Sequence, residues 1–413
     1  MNSHVQSGVQ RVALFASAFH PSLGGVEELV RQLVVEYQRR GIEAVVVTNR
    51  WPRNLPAREE VNRARVLRYA FRLPDASMRS RIGFRLTSGR VLRELRFAMG
   101  RLRPDIIHVQ CVSSNGWYAS RMAQDLGVPL VVSTQGERTM DAQRIFQRSP
   151  VFNRVLFEVL RHAQAITACS RAALADLQAY APACLERIRS QVVYNGIGRE
   201  AFEERRGANE ERPFFFALGR IVPQKGFHVL LEAFARSQVR DVDLILAGEG
   251  PEVPRLTSLV AELGLSGRVL LIGRAERARV HSLMARSVGV VVPSLMEPMG
   301  IVVLEALAAG KAVVASNVGG IPEILPNEPS VRLVQAGSVE DLAHALVWLR
   351  SFQKKPPIPE HIAHARKFCW ESIAQQYLEI YAACAGKTEA GQIRESVASS
   401  SSPKGGDPVC SEV

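Results

Sequence analysis

A short apolar run, a turn and a helix-like amphipathic stretch follow one another along the first half of this chain, and the series starts again in the second half. Arg11–Ser17 reads as a strand, Val26–Arg40 as a helix and Glu43–Thr48 as the next strand, followed by strands at Ile106–Val109, Leu130–Ser133 and Ala165–Ala168. The second series is Phe214–Leu218, Val242–Ala247, Val269–Ile272, Gly289–Val292 and Ala312–Ala315. Strands that are apolar throughout, and not alternating, belong to parallel sheets covered on both faces by crossover helices. The expectation is therefore an α/β chain of two Rossmann-like, doubly wound parallel-sheet domains.

With 413 residues, the chain is long enough for two cores, each of about 150–200 residues. The charged run EERRGANEERP, near Ala201–Arg212, breaks the apolar pattern like a linker. It divides an N-terminal domain over 1–205 from a C-terminal one over 206–385, and a closing helix is expected over Ile362–Ala383. The Ser- and Gly-rich tail, 386–413, reads as disordered. Ligands of such sheets bind outside the carboxyl ends of the strands, which places the chemistry in a cleft between the domains.

No apolar run approaches the length of about 20 residues that a membrane span needs. The first ten residues are polar and lack a signal-peptide core, and the six scattered cysteines form no Cys-x-x-Cys pair. A cytoplasmic protein with reduced thiols is expected. The formal net charge is +12, and only seven of the 52 basic residues are lysine. Between Arg50 and Arg103 stand fifteen arginines against four acids. That stretch suits a solvated helical face or an anionic membrane surface better than nucleic acid, for which no binding motif and little aromatic interleaving exist.

The densest motif is VVPSLMEPMGIVVLEALAAG, Val291–Gly310. A strand ends at Pro293-Ser294, a turn carries Glu297, and a helix opens near Met299-Gly300, where free N–H groups offer an anion site. Glu305 follows Glu297 by eight residues, so both carboxylates can face one pocket, and a carboxylate accepting two hydroxyls is a usual grip on ribose. A helix cap with a salt bridge would also explain the pair. In FFFALGRIVPQKGFHVL, Arg220 and Lys225 occupy the loop after a strand. They can neutralise a diphosphate, or simply be solvated cations. Asp241-Val242-Asp243 matches an Asp-x-Asp metal pattern but precedes its strand, at the wrong end of the sheet, so no metal is expected there.

Taken in order, these segments resemble glycosyltransferase family 4, retaining enzymes of the GT-B fold, from Val12 to about Glu379. By that resemblance Arg220 and Lys225 bind the donor diphosphate, and Glu305 binds the ribose. Glu297, with the backbone of Met299, Gly300 and Ile301, holds the donor sugar and β-phosphate. Arg274 lies beside the base, and the Gly24-Gly25 turn approaches the donor phosphate and the acceptor. A UDP-sugar is then a substrate, and no cofactor is implied. Two departures stand out: Tyr194 replaces the usual proline of the family's Pro-Asn-Gly hinge, and Gln135 stands where a histidine often touches the donor sugar. Glutamine donates a hydrogen bond but does not titrate, so Gln135 positions rather than transfers protons. His20 and His108 are nearby candidates, although a histidine at a strand end is more often structural.

For the acceptor side, Glu27, Gln135, Glu137 and Asp141 are the candidates. Glu137 and Asp141 share a face if their segment is helical. Carboxylates there suit a polyamine-like or aminocyclitol acceptor, although pairing with Arg138 or Arg144 would account for them too. The runs ASAFHPSLGGVEELVRQL, HVQCVSSN and STQGE are similar to the 2-deoxystreptamine N-acetylglucosaminyltransferases of aminoglycoside antibiotic pathways. That likeness implies UDP-N-acetylglucosamine as donor and N-acetylparomamine as product. The alternatives are a relative using UDP-glucose or a membrane lipid, and a non-catalytic basic protein on a dead transferase fold. Oligomeric state is not legible.

Overall fold

The protein is described by a computed structural model covering residues 8–22, 24–74, 78–140, 144–203, 212–353 and 355–400. Its strands are β1 (Arg11–Ala16), β2 (Glu43–Asn49), β3 (Arg58–Val61), β4 (Ala64–Tyr69), β5 (Ile106–Gln110), β6 (Leu130–Thr134), β7 (Ala165–Ala168) and β8 (Arg189–Val192) in the first half. The second half holds β9 (Phe214–Leu218), β10 (Asp243–Ala247), β11 (Val269–Leu271), β12 (Gly289–Val292), β13 (Ala312–Ser316) and β14 (Val331–Val334). They form two sheets, ordered β3-β4-β2-β1-β5-β6-β7-β8 and β11-β10-β9-β12-β13-β14. Every pairing is parallel except the β3–β4 hairpin.

Helices cover both faces of each sheet, which is why β1, β6, β12 and β13 are buried and apolar nearly end to end. Four strands lie beyond those legible in the sequence: β3, β4, β8 and β14. Three are sheet edges and β4 lies next to one, and each carries charged or polar residues, so no continuous apolar run marks it.

The linker expected at Ala201–Arg212 falls between β8 and β9, with 204–211 outside the described residues. The closing helix begins at Trp370 and runs to Ser400, so helix is found over 386–400, where the sequence had suggested a disordered tail. Its first half returns to the N-terminal domain and packs on the helix Gly25–Arg39.

A buried polar chain ties that helix to the first sheet. The Tyr37 and Tyr381 hydroxyls are 2.9 Å apart, Tyr381 meets His108 Nδ1 at 2.5 Å, and His108 Nε2 meets the Ser133 hydroxyl at 2.7 Å. Full burial pushes the His108 pKa down to about 3 from 6.5. The ring is therefore neutral and structural. Its folded pKa lies below the unfolded value, so the stability it contributes is complete above pH 6.5 and is lost as pH falls toward 3. We expect His108→Gln, which keeps an amide for hydrogen bonding, to flatten the acid limb of the stability curve in that window. Chemical denaturation at pH 7 and pH 4.5 checks this, and equal acid sensitivity in both proteins would refute it.

Candidate active site in the interdomain cleft

Parallel strands bring the carboxyl ends of β1, β5 and β6 to one edge, and those of β9 and β12 to the facing edge. The loops from these ends enclose a chamber of about 350 Å³. Gly25, Gln135, Glu137 and Asn195 come from the N-terminal side, and Arg220, Lys225, Glu297, Met299, Gly300 and Ile301 from the C-terminal side. The walls are close: a Cβ on Gly136 would lie 2.9 Å from the Pro298 ring.

On the C-terminal side, β9 delivers Arg220 and then a 3-10 turn, Pro223–Lys225. The Gly248–Gly250 turn seats this loop, with Gly219 N–H bonded to the Ala247 carbonyl (3.1 Å) and Ile221 N–H to the Glu249 carbonyl (2.7 Å). Lys225 Nζ reaches Glu297 Oε2 at 2.5 Å, and the Ser294 hydroxyl donates to the same oxygen at 3.0 Å. Glu297 is thus held in a fixed orientation beside the lysine at the chamber wall.

Gly300 caps the helix Ile301–Ala308 with φ +96°, a left-handed conformation that favours glycine. The bend points the helix's first N–H groups at the cavity, where the helix dipole favours an anion. Glu305 lies on this helix, buried at 8% exposure. Burial raises its pKa, and the Arg277 guanidinium 3.3 Å away pulls the other way.

A second cavity of about 430 Å³ adjoins the first through Gly25 and Ile301, and is lined by His20, Glu27, Glu28, Arg31, Arg277 and Glu305 among others. Burial raises the Glu27 pKa too, against the opposing charge of Arg220.

Two family models match this frame. One, Glycosyltransferase Family 4, covers residues 23–201, and the other, Glycosyl transferases group 1, covers residues 198–360. The chain is a glycosyltransferase, its N-terminal half like family 4 and its C-terminal half like group 1. It is similar to the alpha-D-kanosaminyltransferase of Streptomyces kanamyceticus, 28% identical over 386 residues that make up 86% of this chain and 98% of that protein. The phosphatidylinositol N-acetylglucosaminyltransferase GPI3 subunit of Saccharomyces cerevisiae is 24% identical over 394 residues, 90% of this chain and 82% of that one. Among solved structures, HepE of Anabaena in complex with UDP superposes with a TM-score of 0.69 at 21% identity, covering 90% of this chain and all of that one, 100%. That likeness establishes the GT-B fold. The family models and the relatives together make the chain a hexosyltransferase, against a non-catalytic basic protein.

Within the transferase, most of the sequence-derived residues converge. Arg220, Lys225, Glu297, Gly25, Met299, Gly300 and Ile301 line the chamber, and Glu305 and Glu27 line its annex. Arg274 follows β11 and is exposed, outside the linings of both cavities. Glu137 lies in a turn and not a helix, and Asp141 lies outside the described residues. The Glu137 oxygens accept from Val112 N–H (2.8 Å), the Thr134 hydroxyl (2.8 Å) and Gln135 N–H (2.6 Å). It braces the β6 loop at the chamber wall.

Three contributors were not legible in the sequence: Asn195, Glu28 and Arg277. Asn195 sits in the recognised hinge, but its bond to Gln135 spans 60 residues, and Glu28 and Arg277 meet only because the domains face each other. Asp241 precedes β10 and Asp243 opens it, away from the cleft; Asp241 bonds Arg350, and Asp243 lies in ion-pair range of Arg212 and Arg268.

Proposed function

We propose that this transferase moves N-acetylglucosamine from UDP-N-acetylglucosamine to 2-deoxystreptamine with retention, giving N-acetylparomamine. Front-face transfer asks little covalent chemistry of the protein: the leaving diphosphate is stabilised, and the acceptor oxygen is held beside the anomeric carbon. Arg220, Lys225 and the start of the Ile301–Ala308 helix offer the positive charge for the diphosphate, and Glu305 a carboxylate for the ribose. The name of HepE's bound nucleotide, UDP, agrees with that donor class.

One observation carries the choice of sugar. Asn195 Nδ2 donates to Gln135 Oε1 at 2.9 Å, which leaves Gln135 Nε2 and Asn195 Oδ1 buried without a partner on residues lining the chamber. Buried unpaired groups are costly. Neither atom is open to the chamber, so a small rotation of the two amides on donor binding is part of this reading: it brings Gln135 Nε2 to an acetamido carbonyl and Asn195 Oδ1 to its N–H. The aminocyclitol acceptor is supported by Glu27, the annex carboxylate left without a salt-bridge partner among the described residues, which suits an amine.

A donor panel against 2-deoxystreptamine, with products identified by mass, tests this. We expect an N-acetylhexosamine adduct, a preference for UDP-N-acetylglucosamine over UDP-glucose, and a preference reduced roughly tenfold or more in Gln135→Ala. No adduct on 2-deoxystreptamine, or a preference untouched by that substitution, would overturn the respective half.

A lipid acceptor is the second reading. In the helix Met78–Leu102 the apolar Met78, Ile82, Leu86 and Phe97 are exposed beside Arg79, Arg81 and Arg85, as in helices that lie on anionic bilayers. No helix among the described residues is long and apolar enough to cross a membrane. Salt-sensitive pelleting with phosphatidylglycerol vesicles, together with no product on 2-deoxystreptamine, would favour this acceptor.

A further inference from the structure

Arg277 opens the helix Arg277–Arg286 in the C-terminal domain and reaches carboxylates from three parts of the molecule. Its Nη1 lies 2.5 Å from Glu28 on the Gly25–Arg39 helix and 3.8 Å from Glu200 in the turn between the domains, and its Nη2 lies 3.3 Å from Glu305. Glu28 is itself fixed by Arg31, at 2.9 and 2.7 Å, and by Gln32 at 2.8 Å. One guanidinium therefore spans the cleft, from an anchored carboxylate on one domain to the buried Glu305 on the other.

We propose that Arg277 is a positioning residue that makes the grip on the donor ribose depend on closure of the two domains. The proposal rests on the reading of Glu305 as the ribose carboxylate. A guanidinium presents several N–H donors in a rigid plane, so it can hold two carboxylates in fixed relative orientation where a single ammonium cannot. Bonding at Glu305 Oε1 sets the plane of that carboxylate and leaves Oε2 for the ribose diol. The arm to Glu28 exists only while the domains face each other at this distance.

Charge works in the same direction. Burial favours the neutral acid at Glu305, Glu28 and Glu200 add to that tendency, and Arg277 opposes it. An ionised acceptor for the ribose is thus best presented in the closed arrangement, where Arg277 is held by both sides. The open molecule would present a loosely oriented Glu305, so a nucleotide that cannot use the carboxylate gains little from closure.

Binding of UDP and of 2′-deoxy-UDP, measured by calorimetry on the full chain, tests this in wild type, Arg277→Gln, Arg277→Lys and Glu28→Gln. Wild type is expected to prefer UDP by about tenfold, the worth of one charge-assisted hydrogen bond. Arg277→Gln should weaken UDP by a similar factor while leaving 2′-deoxy-UDP nearly as before, so that the preference collapses. Arg277→Lys should restore only part of it. Glu28→Gln should weaken UDP more than 2′-deoxy-UDP and so narrow the preference, since Arg277 then loses its anchor on the other domain; a preference kept in full would show that the ribose grip does not depend on closure.

A purely structural arginine would lower both affinities together and leave their ratio unchanged, which would overturn the proposal. Wild type binding UDP and 2′-deoxy-UDP equally would instead remove Glu305 from the ribose, and the proposal with it. Should Arg277→Gln melt before it can be titrated, the ratio in Arg277→Lys decides by the same criterion.

Discussion

Replacing Lys225 by alanine is expected to lower turnover by roughly two to three orders of magnitude, the usual cost of removing one preorganised group that stabilises transition-state charge. Charge on the departing diphosphate grows as the glycosidic bond breaks, so the ammonium contributes more in the transition state than in the bound donor. Donor KM should therefore change much less than kcat. The fold should lose only a few degrees of melting temperature. Glu297 keeps the Ser294 hydroxyl and lines a chamber open to water, so it is not left without a hydrogen-bond partner when the ammonium goes. Steady-state kinetics and a thermal melt check both halves. An unchanged kcat would remove Lys225 from the site.

Glu305→Ala is expected to act in the opposite pattern. The ribose lies away from the reacting bond and is gripped alike before and during transfer, so its loss is uniform binding: KM for the donor rises on the order of ten- to a hundredfold, and kcat falls little. The melting temperature should hold or rise. Burial raises the pKa of Glu305, which means that the folded protein carries its charge at a cost despite Arg277. Removing the carboxylate relieves that cost while Arg277 keeps Glu28 and Glu200. A fall in kcat equal to the fall in kcat/KM would contradict the assignment and place Glu305 nearer the chemistry.

The contrast between these two residues follows from where the sequence puts them. Lys225 sits in the loop after β9 and Glu305 inside a helix, and both positions are readable because local pattern dictates them: a buried parallel strand must end, and a glycine must turn the chain into the next helix. The same logic made β1, β9, β12 and β13 legible and hid the margins. The β3–β4 hairpin turns at Asn62-Arg63, both with positive φ, and an arginine there carries none of the usual Asn-Gly signal. β14, Val331–Val334, is too short and too charged to stand out as a strand.

What the sequence withheld at the site is long-range. Glu137 looked free to meet an acceptor because its spacing to Asp141 suggests a shared helical face, yet the segment turns and closes on the carboxylate. The resemblance puts Arg274 beside the base, but that side chain lies outside the linings of both cavities. Three residues on, the start of the next helix carries the Arg277 guanidinium back to Glu305. Neither outcome follows from local propensity, because both depend on which loops the two sheets bring face to face.

The central claim is that a nucleoside diphosphate sits between the Arg220–Lys225 loop and Glu305. Calorimetric titration of UDP into the wild-type chain and into the Lys225→Ala/Glu305→Ala double variant tests it most directly. The account predicts one UDP per wild-type chain, and no measurable binding to a double variant that remains folded. Undiminished binding to that variant, or a wild-type chain that binds no nucleoside diphosphate, would contradict it.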